Sequence, residues 1–124
     1  MIEPADLLEL AGRLLQGTHE AYWRSASSRA YYAALHAARH YCERAKLPLP
    51  IGASHERVIE ALKSSKSLVE RQIGQLLGRL RSERNLADYQ LELDYSQRQA
   101  QKCHSECQRA VTKLAELAAS LRPG

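Results

Sequence analysis

Phenylalanine is absent from this chain, and Trp and Met occur once each. The β-branched set is thin as well: 4 Ile, 3 Val and 2 Thr stand beside 18 Ala and 19 Leu. Residues that suit a pleated sheet are scarce and helix formers abundant, which excludes a sheet-based fold and predicts an all-α domain. Cysteine is limited to Cys42, Cys103 and Cys107. That odd count lacks the spacing of small stapled domains, so neither a disulfide framework nor secretion is expected. No apolar run approaches the roughly 20 residues that span a bilayer. The acidic start Met1-Ile2-Glu3-Pro4 has neither the basic beginning nor the apolar stretch of a signal peptide, and a cytoplasmic protein is expected. Also missing are a Gly-rich phosphate loop, a Gly-x-Ser-x-Gly elbow and a His-Glu-x-x-His helix, which removes the common nucleotidase and hydrolase signatures.

What is present fits one domain. A chain of 124 residues can bury a modest core but is too short for two independent ones. Its 44% hydrophobic and 26% charged residues are an ordinary globular balance. Eighteen Lys and Arg against 14 Asp and Glu give a net charge of +4, and 13 of the 18 are Arg. A guanidinium binds phosphate bidentately and stacks on bases, so this skew favours a nucleotide or RNA partner.

Apolar periodicity divides the chain into helices. Leu7, Leu8, Ala11, Leu14 and Leu15 mark a first over residues 5–16, with Pro4 in its first turn and Gly17 as its stop. The 26 residues from Ala21 to Lys46 hold no Gly or Pro and predict a long second helix, ended by Pro48 and Pro50. A short third follows Ser54 as N-cap, carries Val58, Ile59 and Leu62, and breaks at Ser64-Ser65. The fourth, over 68–87, aligns Val69, Ile73, Leu76, Leu77 and Leu80. Its Gly74 and Gly78 are positions where a neighbouring backbone can approach closely. Asp88 to Asp94 reads as a loop or helix break. A fifth helix over 95–121 carries the seam Ala100, Cys103, Cys107, Ala110, Leu114, Leu117 and Leu121. Short connections imply an up-and-down bundle of four to five helices with no repeat or linker.

Two constellations bear on chemistry. On the second helix, Ala26, Ala30, Ala33, Ala37 and Tyr41 form a stripe that lets another helix approach tightly. Opposite them Ser25, Arg29, Tyr32, His36, Arg39 and Glu43 form a polar strip. A solvated face explains such a strip, and so does a groove in which two Arg, a Tyr and a His clamp phosphate and stack a base. On the fourth helix the apolar stripe continues onto Arg84 and Ala87, so Arg84 points partly inward and needs a partner. Asp88, four residues on, supplies one, whether as a structural ion pair or as the holder of a phosphate-facing arginine. Arg81 and Asn85 sit beside it. Cys103 and Cys107 with His36 and His40 have zinc-like identities, but both cysteines lie in the apolar seam and are read as core, with no metal or cofactor expected. His19, His55 and His104 have no motif around them and are assigned to the surface.

Two stretches together resemble the HEPN superfamily. They are the helix Arg24-Ser25-Ala26-Ser27-Ser28-Arg29-Ala30-Tyr31-Tyr32-Ala33-Ala34-Leu35-His36-Ala37-Ala38 and the later Arg84-Asn85-Leu86-Ala87-Asp88-Tyr89. More narrowly, the chain is similar to its small stand-alone prokaryotic members. The resemblance covers nearly the whole chain and implies a helical bundle, typically a homodimer, often paired with a minimal nucleotidyltransferase as toxin and antitoxin. Many members are metal-independent ribonucleases with an Arg, commonly followed by Asn, and a His four to six residues beyond the Arg. One helical turn brings both to the scissile phosphate, imidazole moving the 2′-hydroxyl proton and guanidinium stabilising the phosphorane.

This chain departs from that pattern. Arg84 and Asn85 fit, but Tyr89 stands where a histidine would, and a phenol of ordinary pKa about 10 is a poor general base. The expected function is therefore binding of RNA or a nucleotide in a basic cleft of a HEPN-like dimer. Arg84 contacts phosphate, Asp88 orients it, and Arg29, Tyr32, His36, Arg39, Arg81 and Asn85 form the neighbouring surface. Arg84, Asp88 and Tyr89 are also the candidates for any catalysis. The alternatives are an active endoribonuclease in which His36 or another histidine serves from a different helix, and a non-catalytic interaction module. Dimerisation is expected from the resemblance and from the near all-round apolar character of the second and fifth helices.

Overall fold

The computed structural model describes residues 1–50 and 52–121. Five helices account for its regular structure: α1 (Pro4–Leu15), α2 (Glu20–Arg44), α3 (His55–Lys63), α4 (Leu68–Tyr89) and α5 (Gln97–Ala119). No strand occurs among the described residues. The all-α expectation holds, and the fold is a helical bundle.

The helix starts follow from local chemistry. Pro4 opens α1 behind a capping box in which Glu3 and Asp6 satisfy each other's backbone N–H groups. Ser54, Ser67 and Ser96 cap α3, α4 and α5, each hydroxyl accepting from the N–H three residues on. The end of α2 comes before the prolines. Lys46 takes a left-handed φ of 58°, Lys46 N–H bonds Glu43 O and Leu47 N–H bonds Cys42 O, the paired bonds of a Schellman stop.

α2 is the central element and packs against all four other helices. Its length lets it carry two cores. The larger surrounds Tyr31, Leu35 and Cys42 with Val58 and Leu62 of α3, Leu77 of α4 and Cys107 and Leu114 of α5. The smaller joins Ala26 to Leu15, Ala87, Tyr95 and Ala100, beneath the last turn of α4. The alanines explain the tightness: Ala26, Ala30, Ala33, Ala34 and Ala38 are all fully buried, which small side chains permit at close helix crossings.

Several expectations need correction. α4 runs on to Tyr89 and the break falls after it, at Gln90. α5 begins at Gln97, and Tyr95, expected as its first residue, is a buried loop side chain whose hydroxyl meets Ser27 Oγ at 2.7 Å and donates to Glu83 Oε1 at 2.9 Å. Gly74 does admit a neighbour: a Cβ there would lie 2.8 Å from the backbone N of Lys63. Around Gly78 the space is open. Neither α2 nor α5 is apolar all round. The alanine face of α2 is covered within the chain, and α5 alternates buried Cys103, Cys107, Ala110 and Leu114 with an exposed polar face. Bare apolar helices therefore supply no argument for a dimer.

Candidate functional site

The polar strip of α2 and the end of α4 meet. Arg29, Tyr32, His36 and Arg39 rise along α2 at helical spacing and are each half-buried, so this face is more enclosed than a solvated one. Arg84 comes in from α4 with 14% of its side chain exposed. Its Nη2 donates to the Tyr32 hydroxyl at 2.5 Å and its Nη1 to Asn85 Oδ1 at 2.9 Å. Its Nε lies 2.9 Å from Asp88 Oδ2, the i, i+4 partner that the stripe implied. Asp88 also accepts from Ser28 Oγ at 3.1 Å, which fixes the carboxylate against α2. The guanidinium carbon of Arg84 stands 5.1 Å from the Tyr32 ring centre and that of Arg29 stands 4.8 Å from it, so one phenol ring holds two cations.

A third wall comes from α3. His55, its first residue, sits edge-on to Tyr32 with ring centres 5.5 Å apart and tilted to Tyr31 at 5.7 Å. Its Nδ1 is 3.3 Å from the Tyr31 hydroxyl. Arg39 ties the same end of α3 to α2 by donating from Nη2 to Ala53 O at 2.7 Å. The surface assignment of His55 is thus corrected: tertiary packing, not a local motif, brings it in.

The electrostatics follow from the crowd of cations. His55 is held below the usual imidazole range by burial first and then by Arg84, Arg81, Arg39 and His36. Burial, Arg39 and His40 lower His36 in the same direction. Both rings are neutral near pH 7. The Tyr31 phenol is pushed up to about 12 by burial, against the opposing pull of Arg81 and Arg84. Nε of Arg39, Arg81 and Arg84 are all buried without an aligned hydrogen-bond partner among the described residues. For Arg84 this means that Asp88 is close enough for an ion pair but off the N–H axis. A group of guanidiniums beside imidazoles and an edge-to-face pair of phenols is chemically suited to a phosphate and a flat base.

The remaining candidates divide. Tyr89 is exposed, with its ring 5.4 Å from the Arg84 guanidinium. Asn85 and Arg81 are half-buried at the cluster, whereas Ser25, Glu43 and His40 are exposed. Cys103 and Cys107 lie in the core seam, apart from both histidines of the zinc-like set, and the hydrogen bond with Cys103, followed by burial, raises the Cys107 thiol. Among the described residues no group of three His, Cys, Asp or Glu side chains could hold a metal ion. His19 is exposed as the N-cap of α2. His104 departs from its surface assignment: it is half-buried, with Nε2 at 3.2 Å from Leu8 O.

One residue matters more than its sequence suggested. Arg24 is 7% exposed, and its Nη1 donates to Leu86 O and Ala87 O at 3.2 and 2.9 Å. Nη2 donates to Leu93 O and Nε to Glu20 Oε2. The last turn of α4 carries no basic residue, and Arg24 supplies the missing positive end from α2. It thereby holds the turn that bears Asp88 and Tyr89, directly after Arg84. The signal available in sequence was an arginine on the buried side of α2, one turn before Ser28.

A larger groove lies elsewhere. About 610 Å³ in volume, it runs between Val69, Ile73 and Leu76 of α4 and the polar face of α5, and it includes none of the cluster residues. Its charged lining, Arg109, Lys113 and Glu116, is of mixed sign and comes from α5 alone, whereas the arginine cluster gathers cations from α2 and α4 around two histidines, so the cluster remains the candidate site. No helix among the described residues is long and apolar enough to cross a membrane. Comparisons of the chain with protein-family models, with curated proteins and with solved structures find no match.

Proposed function

We propose that the protein binds single-stranded RNA or a nucleotide at the Arg84 cluster, as a HEPN-like helical protein that dimerises and acts beside a minimal nucleotidyltransferase. The observation that carries this reading is the convergence of Arg29, Arg39, Arg81 and Arg84 from two helices on Tyr32 and the imidazoles of His36 and His55. Asp88 positions Arg84, and the phenol ring holds two guanidiniums on which a base can stack. The cytoplasm is the compartment in which such ligands abound. The test is titration of a labelled single-stranded RNA and of ATP into wild type and Arg84→Ala. Binding that Arg84→Ala weakens strongly supports the reading. No binding by the wild type, or binding indifferent to Arg84, refutes it.

A second reading, metal-independent RNA cleavage, is favoured by His36, which is neutral and has its ring centre 6.5 Å from that of Tyr32. There the imidazole takes the ribose 2′-hydroxyl proton, the 2′-oxygen bonds phosphorus, and the 5′-oxygen leaves with a proton from water while Arg84 stabilises the phosphorane. Cleavage in EDTA, abolished by both His36→Ala and Arg84→Ala, would establish it. Intact RNA after prolonged incubation would remove it.

A further inference from the structure

His55 belongs to this cluster, but neither reading above gives it a contact of its own with the ligand. Tyr31, its hydrogen-bond partner, is fully buried, so its hydroxyl proton needs an acceptor inside the protein. Its charged neighbours Arg81 and Arg84 offer only donors. Nδ1 of His55, 3.3 Å away, is the strong acceptor within reach. An imidazole that accepts at Nδ1 carries its proton at Nε2, provided that the ring is neutral. The ring faces Arg84 and Arg81 from α4 and Arg39 and His36 from α2, with Tyr31 and Tyr32 against it, and every charged member of that set opposes a second proton.

We infer that His55 is a phosphate ligand: Tyr31 fixes its tautomer so that Nε2–H donates to a phosphate oxygen, and the same lock keeps it from acting as the general base. The inference rests on the proposed function and deepens it by naming the ligand group. The site recognises the phosphoryl oxygens of a nucleotide or RNA with N–H donors alone, guanidinium and imidazole together. A neutral donor adds a directed hydrogen bond without adding to the mutual repulsion of the arginines. It also gives the absence of a histidine after Arg84 a physical companion: the imidazole that packing does supply is turned to donate.

Two measurements decide it. Long-range ¹H–¹⁵N NMR of the free protein near pH 7.5 reports the tautomer directly. The expected result is an unprotonated Nδ1 and a protonated Nε2 in wild type, and a mixture of tautomers in Tyr31→Phe. An unprotonated Nε2 in wild type overturns the inference. Calorimetric titration with a 5′-phosphorylated RNA tetranucleotide then tests the contact. His55→Ala is expected to weaken binding by about tenfold or more, the loss of a hydrogen bond to a charged group. His55→Gln, which can present an N–H at a similar reach, should stay within about threefold of wild type. If His55→Ala is poorly folded by circular dichroism, a His55→Gln variant that binds tenfold weaker counts against the inference and one that binds normally supports it. Equal binding by wild type and a folded His55→Ala defeats the phosphate contact and leaves the proposed function standing. No binding by wild type defeats the proposed function and this contact with it, while the NMR result still rules on the tautomer.

Discussion

Replacing Arg24 by Met keeps the aliphatic stem in the small core and removes the guanidinium. The structure gives that guanidinium three backbone acceptors: Leu86 O, Ala87 O and Leu93 O. Each buried acceptor left without a donor costs about 1–3 kcal/mol. The carbonyls at the end of α4 can recover some water once the stem relaxes, so the low end of that range applies and the sum is about 3–4 kcal/mol. For a chain of this size each kcal/mol corresponds to about 4 °C, which places the fall in melting temperature near ~12–16 °C. Urea and thermal unfolding followed by circular dichroism measure both quantities. Because α4 then loses the anchor of its last turn, RNA binding at a temperature where the variant is still folded should weaken too. A destabilisation under about 1 kcal/mol would refute the reasoning, since it would mean that these carbonyls never depended on Arg24.

Other outcomes follow from single contacts. Gly74→Ala should destabilise by about 1–3 kcal/mol, because the added Cβ meets the α3 backbone at Lys63, whereas Gly78→Ala, in open space, should be neutral or stabilise by up to about 1 kcal/mol in the same unfolding assay. Tyr32→Phe keeps the ring for both guanidiniums but deletes the hydroxyl that accepts from Arg84, and RNA affinity measured by anisotropy should drop about 3- to 10-fold. His36 and His55 both titrate below their ordinary 6.5 in the folded protein, so the unfolded chain binds more protons as the pH falls through that window. Their contribution is therefore complete above about pH 6.5 and is lost as the pH drops through the folded values. Urea midpoints between pH 7.5 and 5 should decline, and the double change His36→Gln, His55→Gln should flatten that decline.

The parts of the fold written in local chemistry were legible in the sequence. The Ser54 cap, the Gly- and Pro-free run of α2 and the seam of α5 depend on neighbours within a few residues. Arg84 was legible for a related reason: its place on an apolar stripe forces a charge inward, and Asp88 one turn away answers it. The meeting of Arg84 with Tyr32 needed one further step, that two faces marked out by periodicity lie together, and the bundle provides it. His55 was not legible. Its surroundings come from α2 and α4, and the nine-residue α3 offers no pattern that says which way its first residue turns. Arg24 and Tyr95 were missed for the same reason: their partners lie more than 60 residues away in the chain. Gly74 and Gly78 have equivalent sequence neighbourhoods and different spatial ones, so periodicity could not separate them.

The claim on which the functional account depends is that Arg84 meets a phosphate. The salt dependence of RNA affinity, measured in parallel for wild type and Arg84→Ala, tests it most directly. Each phosphate neutralised on a single strand contributes about −0.7 to the slope of log K against log salt. The account predicts a wild-type slope near −2 to −3, from three or four arginine contacts at about −0.7 each, and a slope shallower by about 0.7 in Arg84→Ala. Identical slopes, or a wild-type affinity that does not change with salt, would contradict it.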